Sequence, residues 1–475
     1  MSPEEFRVAA HRLVDFIADY RRDVASLPVM ARTAPGDVKR ALPNEPPLAG
    51  EPFDAILADV ERVILPALSH WQHPDFFGYF PSNGLPASVL GDFLSTGLGV
   101  LGLSWQSSPA LSELEEVVCD WTRQALGLSE AWSGVIQDTA STSTLVALLC
   151  ARERASRFSE ARGGLQETGA APLTVYFSEH AHSSVQKAAL LAGFGRAHLR
   201  LVPCDTNYAM RADALGDLLA QDAEAGRRPC AVVATVGTTT TTALDPLAPI
   251  AGAAEKHGAW LHVDAAMAGS AMILPECRDL WDGIEGADSL VVNAHKWLGV
   301  AFDCSLYYVR DPQHLVRVMS TNPSYLRTAA DAEVKNLRDW GIPLGRRFRA
   351  LKLWFLLREQ GLDALRARLR RDIENARWLE ARVRETPGWR VLAPVPLQTL
   401  CVRHEPAGLE GEALDRHALE WVERLNRSGV AYLTPAQLDG RWMVRVSVGA
   451  APTEREHVSA LWDAMRAAAE APPPN

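Results

Sequence analysis

The 475-residue sequence lacks the cysteine patterns that stabilise secreted scaffolds. Its seven cysteines are scattered, are odd in number and include no C-x-x-C motif. Such a distribution is typical of proteins from reducing compartments, where cysteines remain thiols. We therefore expect a cytoplasmic protein.

The sequence also lacks a basic excess and a long apolar run. Lys and Arg number 48 against 58 Asp and Glu, giving a formal net charge of −10, which disfavours non-specific binding to nucleic acid. No apolar run approaches the roughly 20 residues of a membrane helix, and the first residues are acidic, unlike a secretory signal. We expect neither a nucleic-acid nor a membrane partner.

The first 85 residues are expected to form a helical arm with a role in dimerisation. An apolar stripe with steps of four and three residues predicts an amphipathic helix. Six prolines within 28–52 predict an extended connector, and a second apolar stripe over 53–64 predicts another helix. The arm cannot bury its stripes alone and must pack on the body or on a partner subunit. The first stripe consists of Phe6, Ala10, Leu13, Ile17 and Tyr20.

Seven short β-rich runs then alternate with helix-length segments. This alternation predicts an α/β fold with a mostly parallel seven-stranded sheet and helices on both faces. We expect a large domain at 86–345, followed by connecting helices and a small C-terminal α/β domain at 346–475. The predicted strands are Gly134–Ile136, Leu173–Phe177, His198–Val202, Ala231–Val236, Trp260–Val263, Ser289–Val292 and Ser305–Val309.

Ligands of parallel sheets gather at the carboxyl ends of the strands, so the residues that follow each strand are the candidates. Small and hydroxylated residues at 138–144 open a helix whose free N–H groups suit a phosphate, although an ordinary helix cap is an alternative. Later strands are followed by 178–184, by five threonines at 238–242, by Asp264, and by 293–297.

This set of groups suits a pyridine cofactor with a phosphate arm. Lys296 supplies an amine for a Schiff base, and Asp264 can pair with a protonated ring nitrogen. Ala266 is small enough for close contact with one ring face. The alternatives, a surface lysine and a helix-capping carboxylate, are disfavoured by the buried-looking strand beside Lys296 and by the lack of a helical pattern after Asp264.

Two motifs resemble binding sites for a dinucleotide and for a metal ion, but neither has the neighbouring sequence that such a site needs. Gly97–Gly102 satisfies G-x-G-x-x-G, but it follows a helix-like run at Ala87–Leu94 rather than a strand, which argues against a dinucleotide site. The histidine pairs at 70–73 and 180–182 suggest a metal, but a structural or ring-stacking role is favoured. We expect no metal site.

The sequence resembles the group II pyridoxal-phosphate-dependent decarboxylases, most closely the aromatic L-amino acid decarboxylases of fold type I. The resemblance covers nearly the whole chain. It implies a fold type I enzyme that uses pyridoxal 5'-phosphate (PLP), has a small molecule, an amino acid, as its substrate and forms a homodimer with shared active sites. The motifs that carry it include 76–81 (FFGYFP), 181–184 (AHSS), 262–266 (HVDAA), 295–297 (HKW) and 342–349 (IPLGRRFR).

The resemblance also implies residue roles. Lys296 would hold the cofactor covalently, Asp264 would pair with its ring nitrogen, and His182 would cover the ring near the substrate carboxylate. The other cofactor-binding residues that it implies are Ala140, Ser141, Thr239, Ala266, Asn293 and His295.

Tyr325 is implied as the acid that protonates Cα after CO₂ leaves. It lies in 319–340, a long polar segment that suits a mobile lid; a partly exposed loop tyrosine is the alternative. Aldehyde-forming relatives carry Phe at this position, and others carry Asn at the position of His182. The two residues present here therefore favour an amine product.

The implied substrate is an aromatic amino acid: tryptophan, phenylalanine, tyrosine or a hydroxylated relative. No arginine is placed to clamp a second carboxylate, which argues against a glutamate-type substrate. Gly345, which is serine in some tyrosine-type relatives, hints at room for an indole. Two departures from the family pattern are Leu103, commonly aromatic, and Asp138, a negative charge near the phosphate site. The implied substrate-binding residues are Trp71, Tyr79, Phe80, Pro81, Ser82, Leu101, Leu103, His182 and Gly345.

Three alternatives remain open from the sequence. An aromatic aldehyde synthase would couple decarboxylation to oxidative deamination. A catalytically silent PLP-binding protein has only the Asp138 departure in its support. An aminotransferase is disfavoured because transamination usually needs a cationic carboxylate clamp.

Overall fold

The computed structural model describes residues 1–166, 169–321, 331 and 333–471. The chain forms two compact units. Unit 1 comprises Met1–Pro81, Glu374–Leu392 and Cys401–Asn475, and unit 2 comprises Ser82–Ile373 and Ala393–Leu400. The sequence predicts three consecutive domains with boundaries after residues 85 and 345, and that division remains a prediction.

The N-terminal part of unit 1 contains the first predicted helix. Helix α1 begins after Ser2, whose hydroxyl accepts a hydrogen bond from the Glu5 N–H (3.2 Å) while the Ser2 N–H donates to the Glu5 carboxylate (2.6 Å). This reciprocal pair satisfies two N–H groups that a helix start leaves without intrahelical partners. The helices of this segment are α1 (Pro3–Asp23), α2 (Asp37–Ala41) and α3 (Phe53–Asp59).

The prediction of an extended connector at 28–52 is wrong in part, because α2 interrupts it. Gly36 adopts φ 91°, a left-handed conformation that glycine reaches without strain, and turns the chain into α2. The Asp37 carboxylate accepts the Ala34 N–H (2.7 Å) and closes the turn. The second predicted helix is α3, which continues into a π-helical turn at Val60–Ile64.

Unit 2 contains the mostly parallel seven-stranded sheet, and the predicted α/β fold class is confirmed. The strand order is β1-β7-β6-β5-β4-β2-β3, and only β7 pairs antiparallel, with β1 on one side and β6 on the other. The strands are β1 (Ser133–Gln137), β2 (Leu173–Ser178), β3 (Leu199–Val202), β4 (Arg228–Thr235), β5 (Trp260–Asp264), β6 (Ser289–Asn293) and β7 (Ser305–Val309).

The sheet is buried along its central strands. Val232, Val233 and Ala234 of β4 are all inaccessible to solvent, as expected for a parallel strand covered on both faces. The helices that accompany the sheet are α4 (Pro86–Leu98), α5 (Pro109–Leu126), α6 (Ala140–Ser156), α7 (Ser183–Leu191), α8 (Ala212–Glu224), α9 (Leu247–Lys256), α10 (Pro312–Met319) and α11 (Arg349–Glu385).

Local capping signals place helix ends where the sequence predicts them. Ser108 caps α5 by accepting the Leu111 N–H (3.3 Å), and Gly127 ends the helix at φ 76°. The glycine motif at 97–102 begins within the last turn of α4 and includes the helix-ending Gly99 (φ 63°). It therefore does not follow a strand, as a dinucleotide-binding loop would.

The C-terminal part of unit 1 contains the small α/β element that the sequence predicts. Its elements are β8 (Trp389–Val391), β9 (Thr399–His404), α12 (Gly411–Ser428), β10 (Thr434–Leu438), β11 (Arg441–Ser447) and α13 (Arg455–Glu470). The four strands form a sheet with the order β10-β11-β9-β8.

No helix in the described ranges combines the length and apolar character needed to cross a bilayer.

Candidate functional site

The carboxyl ends of β5 and β6 bring three of the predicted cofactor residues together. Asp264 is the last residue of β5 and is 4% exposed, and Asn293 is the last residue of β6. Ala266 links them, since its N–H donates to the Asp264 carboxylate (3.0 Å) and its carbonyl accepts the Asn293 N–H (2.9 Å). A buried carboxylate therefore lies at the edge of the sheet where ligands bind.

Lys296 lies in the turn that follows β6. The turn, Ala294–Leu298, is π-helical, but Lys296 itself departs from helical geometry (φ −97°, ψ −111°). The adjacent Trp297 is fully buried, and its indole N–H donates to the Asp372 carboxylate (2.8 Å). This anchor fixes the backbone next to a half-buried lysine, which fits a covalent attachment point better than a surface lysine.

His182 precedes α7 and is held by Ser184. Its Nδ1 accepts the Ser184 N–H (3.2 Å) and lies 2.7 Å from the Ser184 hydroxyl. The His182 side chain is exposed, but partial desolvation by the surrounding atoms lowers its pKa. The negative charge of Asp264 opposes this lowering, and the positive charge of Lys296 adds to it. Asp264 and Lys296 therefore both lie within electrostatic reach of His182, although the three residues come from separate strand ends.

The start of α6 fits a phosphate group. Thr139 precedes the helix without a side-chain capping bond, so the N–H groups of the first turn are not satisfied by a cap. Ala140 opens the helix and is 8% exposed, while Ser141 beside it is exposed. An uncapped helix start with a small residue and a hydroxyl is the donor set that a phosphate arm needs.

Hydrogen bonds connect this helix start to β6 through β7. The Ser305 hydroxyl donates to the Asn293 side-chain oxygen (2.7 Å) and lies 3.5 Å from the Ser143 hydroxyl. Asn293 thus belongs to the same assembly as the first turn of α6. The sequence placed it there only through the family resemblance.

Asp138, a departure from the family pattern, lies near a cation that the sequence analysis did not identify. Its carboxylate accepts the Thr139 N–H (2.6 Å). Burial lowers the pKa of Arg349, but a hydrogen bond to Asp303 (2.9 Å) and the charges of Asp303 and Asp138 raise it overall. Arg349 therefore pairs with Asp303 and lies within electrostatic reach of Asp138, beside the proposed phosphate site.

His295 is held as a neutral side chain beside Lys296. Its Nδ1 accepts the Cys304 N–H (2.8 Å), and its ring meets Phe302 edge-on at 4.8 Å between centroids. Burial, with a further contribution from Lys296, lowers the pKa of His295 to about 4. Thr239, the remaining predicted cofactor residue, is half-buried in the turn after β4.

The predicted substrate residues of unit 1 form an aromatic group. The Trp71 and Tyr79 rings stack at 5.4 Å between centroids. Phe80 is buried beneath the Arg445 guanidinium, 4.9 Å from its ring centroid, and Arg445 also donates to the Tyr79 carbonyl (3.3 Å). Pro81, also buried, ends the segment. The sequence analysis did not identify Arg445, because it follows no predicted strand end.

Besides His182, the predicted substrate residues of unit 2 are Ser82, Leu101, Leu103 and Gly345. The Ser82 hydroxyl lies 3.4 Å from the His295 carbonyl. Leu101 is 53% exposed, and a Cβ at Gly345 would lie 3.3 Å from it, so these two residues share one surface; Leu103 is half-buried. Tyr325, the predicted acid, lies outside the described residues.

The first histidine pair has structural partners. His70 Nδ1 lies 2.9 Å from the Tyr20 hydroxyl, and His73 Nδ1 accepts the Asp75 N–H (3.0 Å). Both imidazoles are buried in unit 1. These contacts agree with the structural role predicted for this pair.

Comparison with known proteins assigns the chain to a family. The pyridoxal-dependent decarboxylase conserved domain matches residues 35–405. The chain is 41% identical to phenylacetaldehyde synthase of Arabidopsis thaliana, over 97% of this chain and 95% of that protein. It is 39% identical to tryptophan decarboxylase 2 of Oryza sativa subsp. japonica, over 98% of this chain and 95% of that protein.

A solved structure agrees with these sequence relatives. The crystal structure of Oryza sativa TDC with PLP and tryptamine superposes with a TM-score of 0.96 at 36% identity, covering 99% of this chain and 98% of that one. The uncapped start of α6, the buried Asp264 and the anchored Lys296 fit the same cofactor. The chain belongs to the pyridoxal-dependent decarboxylase family, and its cofactor is PLP.

Proposed function

We propose that this protein decarboxylates aromatic L-amino acids and releases the arylalkylamine and CO₂. The observation that carries the proposal is that Asp264, at the end of β5, and Lys296, in the turn after the neighbouring β6, both lie within electrostatic reach of His182. The aromatic substrate class is supported by similarity to tryptophan decarboxylase 2 and by the apolar and aromatic surfaces at the predicted substrate residues.

The residues of unit 2 supply what PLP needs. Lys296 would hold the cofactor covalently, Asp264 would keep its ring nitrogen protonated, and the first turn of α6 would bind its phosphate with Asn293, His295 and Thr239 nearby. When bound, PLP supplies an electron sink for the pair left behind by the departing CO₂. Asp264 maintains that capacity because its negative charge favours the protonated ring nitrogen.

His182 would orient the substrate carboxylate without stabilising it strongly. Because its pKa is lowered, the imidazole is mainly neutral at pH 7. A permanent cation at this position would stabilise the carboxylate more than the transition state, in which its charge is lost. A neutral donor orients the carboxylate for its loss but stabilises its charge less, so the reaction has less ground-state binding energy to overcome.

Tyr325 would supply the proton to Cα, and this step separates the two product classes. Protonation at Cα gives the amine. A competing candidate is the aromatic aldehyde synthase, favoured by 41% identity to phenylacetaldehyde synthase. In that reaction O₂ would be the oxidant, and the products would be aldehyde, ammonia, CO₂ and hydrogen peroxide.

The assembly would be a cytoplasmic homodimer that shares its active sites. Helix α4 supports a second copy of the chain, because its large apolar side chains Leu90, Phe93, Leu94 and Leu98 are 43–56% exposed. The absence of disulfides among the cysteines, all of which are described, supports a reducing compartment.

Product analysis with a panel of aromatic amino acids tests the proposal. The wild type is expected to release amine and CO₂ in equal amounts. Tyr325→Phe is expected to keep releasing CO₂ while aldehyde and hydrogen peroxide replace most of the amine, because the Cα proton donor is lost. Tyr20→Phe, which removes a hydroxyl bonded to His70, is the matched control and should retain the amine product.

Other outcomes separate the alternatives. Aldehyde from the wild type would establish the synthase, and keto-acid-dependent exchange of amino groups would establish an aminotransferase. Borohydride reduction followed by peptide mapping is expected to find the cofactor label on Lys296 in the wild type. The label should be lost in Lys296→Ala and retained in the control Lys187→Ala, which changes an exposed lysine. A bound chromophore without turnover of any amino acid would indicate a silent cofactor-binding protein.

A further inference from the structure

Three side chains without a part in the proposed decarboxylation meet on unit 2. Glu179 and His180 follow β2, and Cys204 follows β3, the neighbouring strand. One carboxylate oxygen, one imidazole nitrogen and the sulfur lie within 4.8 Å of one another. No other group of three or more His, Cys, Asp or Glu side chains in the described ranges meets this spacing.

We propose that Glu179, His180 and Cys204 bind a divalent transition-metal ion of the zinc type, with water as a fourth ligand. Imidazole and thiolate favour such ions over Mg²⁺ and Ca²⁺, which prefer oxygen ligands. Tetrahedral bonds of about 2.0–2.3 Å place ligand atoms about 3.6 Å apart. The three ligand atoms, which lie within 4.8 Å of one another, must therefore move closer together by up to about 1 Å, and side-chain rotation can supply this movement.

The loop that carries Cys204 is fixed in advance. The Asp205 carboxylate accepts the N–H groups of Asn207 (2.8 Å) and Ala209 (3.0 Å), and the Asp205 N–H donates to the Ala209 carbonyl (2.8 Å). The Met210 N–H donates to the buried Asp245 carboxylate (2.7 Å), which also accepts the Thr235 N–H of β4 (2.7 Å). Little backbone order would be lost when a metal binds this loop.

His180 is also positioned before any metal binds. Its ring meets the Tyr208 ring edge-on, with centroids 5.4 Å apart and planes at 89°. Ala181 donates its N–H to the Ser178 carbonyl (3.1 Å), which turns the chain at the end of β2. Glu179 is exposed and His180 and Cys204 are half-buried, so a hydrated ion can reach the set from solvent.

The charges around the sulfur favour a cation. The acidic side chains whose charges act on the Cys204 sulfur are Glu179, within the set, and Asp245, which is buried. The same negative charges attract a divalent ion, which would bind the sulfur as thiolate while the thiol proton passes to the buffer. The sequence analysis predicted no metal here because it compared His180 with His182 and not with Cys204.

Zn²⁺ titration of the PLP-loaded protein tests the site without measuring turnover. After removal of adventitious metal with a chelator and dialysis, calorimetry is expected to show one Zn²⁺ bound per chain. Cys204→Ser and His180→Gln are each expected to weaken binding at least about 100-fold, because each removes a direct ligand. His11→Gln, at an exposed position, is the control and should bind like the wild type.

Proton release gives a second readout specific to the thiol. Titration in two buffers with different ionisation enthalpies should show about one proton released per Zn²⁺ by the wild type, and a smaller number by Cys204→Ser. The cofactor absorption of each variant checks that the fold is retained. The proposal is overturned by a wild type that binds no stoichiometric Zn²⁺, or by folded variants that bind it as tightly as the wild type.

Discussion

At Gly345, the absence of a single carbon atom sets the shape of an apolar surface. A Cβ there would lie 3.3 Å from Leu101, which is tighter than ordinary packing. Leu101 is 53% exposed and can shift, so a side chain at 345 would occupy space on the surface that we propose faces the substrate without disrupting the fold. The size of residue 345 is therefore expected to act on substrate choice more than on stability.

Gly345→Ser is expected to lower kcat/KM for tryptophan relative to tyrosine by about tenfold, since the added atoms reduce the room for an indole and apolar pockets discriminate by about 1–3 kcal/mol. Competition between the two amino acids, with both amines quantified, measures the ratio. Gly252→Ser, at an exposed position on α9, is the control, because nothing lies within 4 Å of a Cβ there. An unchanged ratio in Gly345→Ser would remove residue 345 from the substrate surface.

At the scale of the element, the loop between β1 and α6 combines an acidic residue with an anion-binding helix start. Asp138 opposes a phosphate by charge, and Arg349, on α11, lies within electrostatic reach of it. Arg349 also pairs with Asp303, which precedes β7. We therefore expect part of the positive charge of Arg349 to act on Asp138, which a change at residue 349 can test.

Arg349→Gln is expected to weaken PLP binding by about tenfold, because Asp138 would then repel the phosphate without compensation. Reconstitution of the cofactor-free protein with increasing PLP, followed by its absorption, measures the change. Adding Asp138→Asn to Arg349→Gln should recover most of the affinity, and Arg349→Lys should lose less. A double variant as weak as Arg349→Gln would assign the loss to the Asp303 pair instead.

At the scale of the whole molecule, buried neutral histidines make stability depend on pH. Burial lowers the pKa of His262 to about 4, and His295 behaves alike. His262 lies 2.9 Å from the Ser289 hydroxyl and 3.3 Å from the Thr144 hydroxyl, and it is fully buried. Between pH 6.5 and 4 the unfolded chain binds protons that the folded chain does not, so protonation favours unfolding.

His262→Gln is expected to flatten the pH dependence of stability. In the wild type this contribution is complete above pH 6.5 and is lost as the pH falls through 4, with a slope of up to about 1.4 kcal/mol per pH unit per histidine. Urea unfolding at several pH values in this window measures the slope. Exposed His11→Gln should leave it unchanged, and an equal slope in His262→Gln would mean that His262 binds its proton equally in the folded and the unfolded chain, so that burial does not lower its pKa.

Much of the fold could be predicted from the sequence because its signals are local. The strand runs are short and apolar, and Ser108 and Gly127 mark the ends of α5 within a few residues of chain. The connector was mispredicted in part because proline density says nothing about α2, which begins where Gly36 turns the chain and the Asp37 carboxylate closes that turn.

The site could be predicted only in part, for a topological reason. Lys296, Asp264 and His182 follow parallel strands, and strand ends are visible in the sequence. Arg349 lies on a distant helix and Ser305 begins a strand, so the search of strand ends could not find them. The pairing of Cys204 with His180 required knowledge that β2 and β3 are neighbours.

The reversed direction of β7 has a practical consequence for anyone attaching a probe. Its first residue, Ser305, is in register with Gln137 and Asn293, the final residues of the strands on either side. Its last residue, Val309, therefore lies at the opposite edge of the sheet, about 13 Å away for four residue steps along a strand. Dyes, tethers or affinity tags are best attached at that opposite edge. Inserting residues into 299–304 would instead disturb the edge at which we propose that the cofactor binds.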